Sequence, residues 1–145
     1  GLQVLTLNTR NNKKTIGFFT YATGGKCYEN PFWNELYLKM NTEFGENYNL
    51  VEILPIENSS KIDFKSKNYY SKDIREIASV LSNVELFIGA DSGMMHLAAT
   101  ATKTIGLFKG NFIQTYAPYG FLNQGIDTST TSIDEIIEIM KTKLI

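Results

Sequence analysis

Residues 86–108 read LFIGADSGMMHLAATATKTIGLF. The apolar run Val84 to Ile88 leads through Gly89 and Ala90 into Asp91-Ser92-Gly93, where a short Ala-rich segment begins that carries His96, the chain's one histidine. A second apolar run, Thr104 to Phe108, follows. Short continuous apolar runs fit strands buried on both faces, and a helix-length segment between two of them makes the crossover that parallel strands require.

The same pattern extends in both directions. Thr15 to Tyr21 (TIGFFTY) is predicted as a first strand, ended by Thr23-Gly24-Gly25. Asn30-Pro31 supplies a cap and a first-turn proline for a helix in which Phe32, Leu36, Met40 and Phe44 recur at four-residue spacing until Gly45. Leu50 to Leu54 is a second strand, and the polar stretch Glu57 to Tyr70 reads as a surface loop. Ser71 is the expected cap of a helix with Ile74, Ile77, Ala78 and Leu81 on one face. Val84 to Ile88 and Thr104 to Phe108 are strands three and four. Residues 109–125 form a long loop before a last helix, opened by a capping box at Ser132 and Glu135 and closed by Lys141 and Lys143. Strands alternating with helices at this spacing predict an α/β domain, a doubly wound parallel sheet with helices on both faces.

Length and composition set the outer limits. A chain of 145 residues makes one domain, burying roughly two thirds of its unfolded surface. With 43% hydrophobic and 20% charged residues the expectation is a soluble globular domain, and no apolar run approaches the ~20 residues of a membrane span. The net charge of -1, with lysines scattered along the chain, argues against nucleic acid as a partner. Cys27 stands alone, which excludes an intrachain disulfide and a cysteine metal cluster. No signal peptide pattern opens the sequence, so the cytoplasm is the expected compartment. Residues 1–14, GLQVLTLNTRNNKK, read as a connector into a domain spanning 15–145.

In doubly wound sheets ligands bind beyond the carboxyl ends of the strands, which brings together the loops Ala22 to Cys27 and Ala90 to Met94. The segment Gly-Ala-Asp91-Ser-Gly admits three readings. A carboxylate nucleophile elbow would require a separate histidine to activate water, and the single His96 lies five residues beyond Asp91 on the following helix. Alternatively, Ser92, Gly93 and Met94 open a helix whose free amides and positive dipole end receive an anion. In that case Asp91 holds the loop by capping or accepts a bond from a sugar hydroxyl, and His96 and Lys26 stand near the anion. The plainer third reading makes Asp91 or Ser92 a helix cap, His96 a satisfied core residue and Lys26 a solvated loop lysine. Without a second histidine or paired cysteines, zinc is not expected.

IGADSGMMHLAA, followed by TIGLF and then APYG, resembles the donor-binding half of the family 9 glycosyltransferases, the group of the lipopolysaccharide heptosyltransferases. A second, distant match runs through Ala22-Thr23, Lys26 and Trp33-Asn-Glu-Leu36. The resemblance covers about Thr15 to the end, and implies a Rossmann-like nucleotide-sugar-binding domain, one half of a GT-B fold. It further implies an inverting transfer from a nucleoside diphospho-sugar such as an ADP-heptose, in bacterial surface polysaccharide or lipopolysaccharide synthesis. The diphosphate is then expected on Ser92, Gly93 and Met94, with Thr23, Lys26, Asp91 and His96 around it and no metal required. Glu57 is a candidate for the ribose. The general base is expected in an amino-terminal acceptor domain outside this sequence, leaving the isolated chain inactive and without a catalytic residue of its own. The whole enzyme is expected at the cytoplasmic face of the inner membrane. The chain departs from the family in having Lys103-Thr104 where a proline usually precedes strand four, and Lys109-Gly110-Asn111 in place of Gly-Pro-Thr after it. The competing expectation is a non-catalytic α/β nucleotide-binding or regulatory module, for instance one with Asp91 as phosphoacceptor, which would need further carboxylates beside it to hold Mg²⁺.

Overall fold

The computed structural model describes residues 13–110 and 123–144. They form β1 (Lys14–Phe19), a 3-10 turn (Gly24–Lys26), α1 (Asn30–Phe44), β2 (Tyr48–Ile53), β3 (Lys67–Tyr69), α2 (Ile74–Leu81), β4 (Leu86–Ala90), α3 (Gly93–Ala101), β5 (Thr104–Phe108), β6 (Gln124–Asp127) and α4 (Ile133–Lys143). The sheet order is β3-β2-β1-β4-β5-β6, and every neighbouring pair is parallel. Strand order therefore reverses between β1 and β4, so the crevice beyond their carboxyl ends is the topological switch point of a Rossmann-like domain.

Alternation along the strands builds two cores. Ile16, Phe18, Leu86, Ile88, Ile105 and Leu107 face Trp33, Leu36 and Met40 of α1 and Ile136 and Met140 of α4. Phe19, Val51, Ile53, Phe87 and Phe108 face Ile77, Val80 and Leu81 of α2 and Met95 and Ala98 of α3. Both faces of β1, β4 and β5 are thus dry, which is why those strands read as continuous apolar runs. Gly106 shows how closely α3 lies on the sheet: a Cβ there would come within 2.8 Å of the Phe108 ring and 3.1 Å of the Met95 sulfur.

Local signals set most helix ends. Ser92 Oγ accepts from Met95 N at the start of α3, and Ser132 and Glu135 form the expected capping box on α4. Two caps differ from expectation. Asp73, not Ser71, caps α2, its carboxylate accepting from Arg75 N; Ser71 Oγ instead accepts from Asp73 N and donates to Glu76. Glu29 is the α1 cap position, so Asn30 is already helical, and the buried stripe runs through Trp33 with Phe32 at its edge.

The sheet also has two more strands than expected. Three residues of the stretch read as loop, Lys67–Tyr69, pair with Val51, Glu52 and Ile53 as an edge strand. Likewise Gln124–Asp127 pairs with Ile105–Phe108 at the other edge. Each edge strand buries a single apolar side chain, Tyr69 or Ile126, leaving no period-2 signal to read. Strand limits shift by up to two residues elsewhere. Most of the presumed connector, residues 1–12, and most of the long loop, residues 111–122 with its aromatic side chains Phe112, Tyr116, Tyr119 and Phe121, lie outside the described residues, while Lys14 already belongs to β1. Among the described residues no helix is long and apolar enough to cross a membrane.

Candidate functional site

A cavity of about 490 Å³ opens at the switch point, within the size range of small-molecule sites. Three loops line it. After β1 come Ala22, Thr23 and Lys26; after β2, Pro55, Ile56 and Glu57; after β4, Asp91, Ser92, Gly93, Met94 and His96. All seven residues singled out in the sequence, and Glu57, therefore meet around one space.

The α3 start is built as an anion site would be. Ser92 Oγ donates to Ala90 O (3.0 Å) and accepts from Met95 N (3.2 Å), which ties the cap to the strand end. The amides of Gly93 and Met94 precede the first intrahelical bonds and lie at the positive end of the helix dipole. A Cβ on Gly93 would meet nothing within 4 Å, so its backbone is open to whatever occupies the cavity.

Asp91 does not cap the helix. Its amide donates to Leu107 O (3.1 Å), and its carboxylate, in a residue only 4% exposed, turns to the cavity lysine and histidine. Lys26 Nζ lies 3.9 Å from Oδ2 and His96 Nε2 lies 3.7 Å from Oδ1. These are ion-pair distances too long for hydrogen bonds, and Oδ2 is buried with no hydrogen-bond partner. A buried carboxylate oxygen left so is costly unless a donor arrives. His96 is no core residue, since its side chain is 45% exposed. A phosphoacceptor would need further carboxylates beside Asp91, where Lys26 and His96 stand instead; among the described residues no group of three or more His, Cys, Asp or Glu side chains could hold a metal ion.

Glu52, in β2 ahead of the cavity loop that carries Pro55, Ile56 and Glu57, was not singled out by sequence reasoning. It is fully buried in β2; Oε2 accepts from Thr20 Oγ1 (2.9 Å) and Oε1 from Ser60 Oγ (2.7 Å). Ser60 Oγ also accepts the amides of Ile62 and Phe64, and Thr20 Oγ1 that of Lys61. One carboxyl group thereby joins the end of β1 to the loop that follows Glu57. Burial pushes its pKa up, against the two hydroxyl bonds that lower it. The apolar wall of the cavity, Phe19, Tyr21, Pro55 and Ile56, was also missed. Pro55 just beyond the second apolar run was the available signal, marking where that strand gives way to a loop.

Residues 71–134 match the family model described as glycosyltransferase family 9 (heptosyltransferase). The fold agrees with solved structures from the same group. Escherichia coli heptosyltransferase WaaC with ADP aligns at a TM-score of 0.75 and 13% identity, over 90% of this chain and 44% of that one. E. coli ADP-heptose LPS heptosyltransferase II gives 0.75 and 15%, over 97% and 50%. A family 9 glycosyl transferase from Veillonella parvula DSM 2008 gives 0.72 and 17%, over 97% and 43%. The chain has a family 9-like glycosyltransferase fold. It spans half or less of the length of these structures. No curated protein matches the sequence. The resemblance drawn from Asp91-Ser-Gly-Met-Met-His96 thus agrees with the family model over residues 71–134 and with these structures in fold, the matched segment running from the approach to α2 through β4, α3 and β5 into α4.

Proposed function

We propose that this family 9-like domain, residues 15–145, is the donor-binding half of an inverting glycosyltransferase that uses a nucleoside diphospho-sugar, an ADP-heptose-like donor, in bacterial surface polysaccharide or lipopolysaccharide synthesis. One observation carries the reading: a lysine, an uncovered helix start and a buried carboxylate oxygen without a donor converge on one cavity at the switch point.

In this reading the diphosphate rests on the Gly93 and Met94 amides, with Lys26 and Thr23 beside it and His96 as a further donor. These groups stabilise the charge that grows on the departing diphosphate without a metal. Asp91 Oδ2 accepts from a hydroxyl of the donor sugar, which supplies the bond it lacks. Glu57 faces the ribose, and the apolar wall of Tyr21 and Ile56 faces the base. The attacking hydroxyl and the general base come from an amino-terminal acceptor domain of the same polypeptide, joined through residues 1–14. The full enzyme works in the cytoplasm, at the inner face of the membrane, and has no nucleic-acid partner. Residues 1–145 alone then transfer no sugar, because no acceptor oxygen is held within about 3–3.5 Å of the sugar carbon.

Calorimetry with ADP, UDP and GDP, with and without a chelator, tests this. Binding of at least one diphosphate that survives the chelator is expected; binding of none at millimolar concentration would remove the donor-site reading.

A further inference from the structure

Lys26 is carried by a turn that does little to hold itself. Gly24–Lys26 has two glycines in three residues, Gly24 at φ 57°, buries none of its side chains, and has no side-chain cap from Thr23. Its two turn hydrogen bonds, Lys26 N to Thr23 O and Cys27 N to Gly24 O, are both 3.2 Å long. Glycines lose the most backbone freedom on ordering, so such a turn needs an outside anchor to keep one geometry.

Lys109-Gly110, where the chain departs from the pattern of the family it resembles, supplies that anchor. Lys109 Nζ donates to Cys27 O (2.7 Å) and lies 4.9 Å from the centre of the Tyr28 ring. The ring is fixed in turn. It stacks on Phe32 at 4.5 Å, and its hydroxyl lies 2.7 Å from Thr128 Oγ1. Thr128 Oγ1 gives its own proton to Phe108 O (3.0 Å), so Tyr28 is the donor of that pair. Lys109 is aimed by the residue after it: Gly110 takes a left-handed φ of 60°, and its amide donates to Asp127 Oδ1 (3.0 Å), which also accepts from Ser129 N and Oγ. The end of β5 and the end of β6 thus clamp the loop that follows β1.

We propose that Lys109 is a positioning residue for Lys26: by holding the Cys27 carbonyl and the Tyr28 face it fixes the Gly24–Lys26 turn so that the Lys26 ammonium meets the diphosphate at the cavity. The role in binding rests on the donor-site reading; the hold on the turn does not.

The test combines Lys109→Met, which keeps the stem and removes the charge, with Lys26→Ala and the double variant, titrating each with ADP and with adenosine. Lys109→Met is expected to lower ADP affinity roughly three- to tenfold, the range of one net hydrogen bond, with adenosine unchanged. It should cost nothing further in the Lys26→Ala background, and Lys109→Arg should restore most of the loss. Amide NMR shifts of Gly24, Gly25, Lys26 and Cys27 should move in Lys109→Met while those of Ser92 to Met95 stay in place. An equal loss with and without Lys26 would overturn the proposal, since Lys109 would then act by itself. So would unchanged turn shifts. If the wild-type chain binds no nucleotide, the donor-site reading falls, and the turn shifts alone decide whether Lys109 holds the turn.

Discussion

Lys26 Nζ stands 3.9 Å from Asp91 Oδ2, close enough to balance its charge and too far to satisfy its lone pairs. Cation and carboxylate come from different strand ends, of β1 and β4, and meet only because those strands are neighbours in the sheet. Occupying the cavity with a diphospho-sugar would give each a better partner, phosphate oxygen for Lys26 and hydroxyl for Asp91.

Asp91→Asn should therefore separate the two parts of a donor. Removing a negative charge beside the phosphates should leave ADP affinity equal or higher, while the preference for an ADP-sugar over ADP falls by roughly tenfold or more, the lower end of the range for one hydrogen bond to a charged group. Paired titrations with ADP and an ADP-sugar check this. A large loss of ADP affinity with the sugar preference intact would place Asp91 on the phosphates or in the frame of the loop.

Lys26→Ala should act on the phosphates alone. Loss of a charge-assisted contact corresponds to roughly 10- to 150-fold weaker diphosphate binding. The free nucleoside should bind as before. Affinities for adenosine and ADP that fall together would mean that Lys26 supports the turn and does not touch the ligand.

Glu52 predicts a pH dependence of stability with a definite sign. Burial raises its folded pKa, so the folded state keeps the proton to higher pH than the unfolded chain, whose value is about 4.3. The stability tied to the protonated form is present below the unfolded value and is lost as pH rises through the folded one. Urea unfolding of the wild type and Glu52→Gln across this range should show the wild type losing ground to the variant as pH rises, then running parallel. A wild type that gains on the variant over that interval would mean that the bonds from Thr20 and Ser60 outweigh burial.

Most of this architecture was legible because the central strands are buried on both faces. TIGFFTY and TIGLF can hardly be anything else, and the Ser132 capping box wrote the start of α4 into four residues. The edge strands were not legible, since Lys67–Tyr69 and Gln124–Asp127 are held by pairing to a neighbour and not by their own apolar pattern. The site divides the same way. Asp91 to His96 sit in one short motif, and Lys26 follows a glycine turn at a strand end. Glu52 looked like one polar residue in the strand LVEIL, and only the approach of Thr20 and Ser60 makes it a junction. Lys109 likewise read as a mismatch, because its partner Cys27 lies 82 residues away.

The central claim, that an anionic nucleotide sits on the start of α3 opposite Lys26, is tested most directly by an amide NMR titration of the chain with ADP in the presence of a chelator. The account predicts saturable shifts centred on Gly93, Met94 and the Gly24–Lys26 turn, with smaller ones at Ile56 and Glu57, none of them dependent on Mg²⁺. Shifts confined to another surface, shifts that appear only when Mg²⁺ is added, or no shifts at millimolar ADP would contradict it.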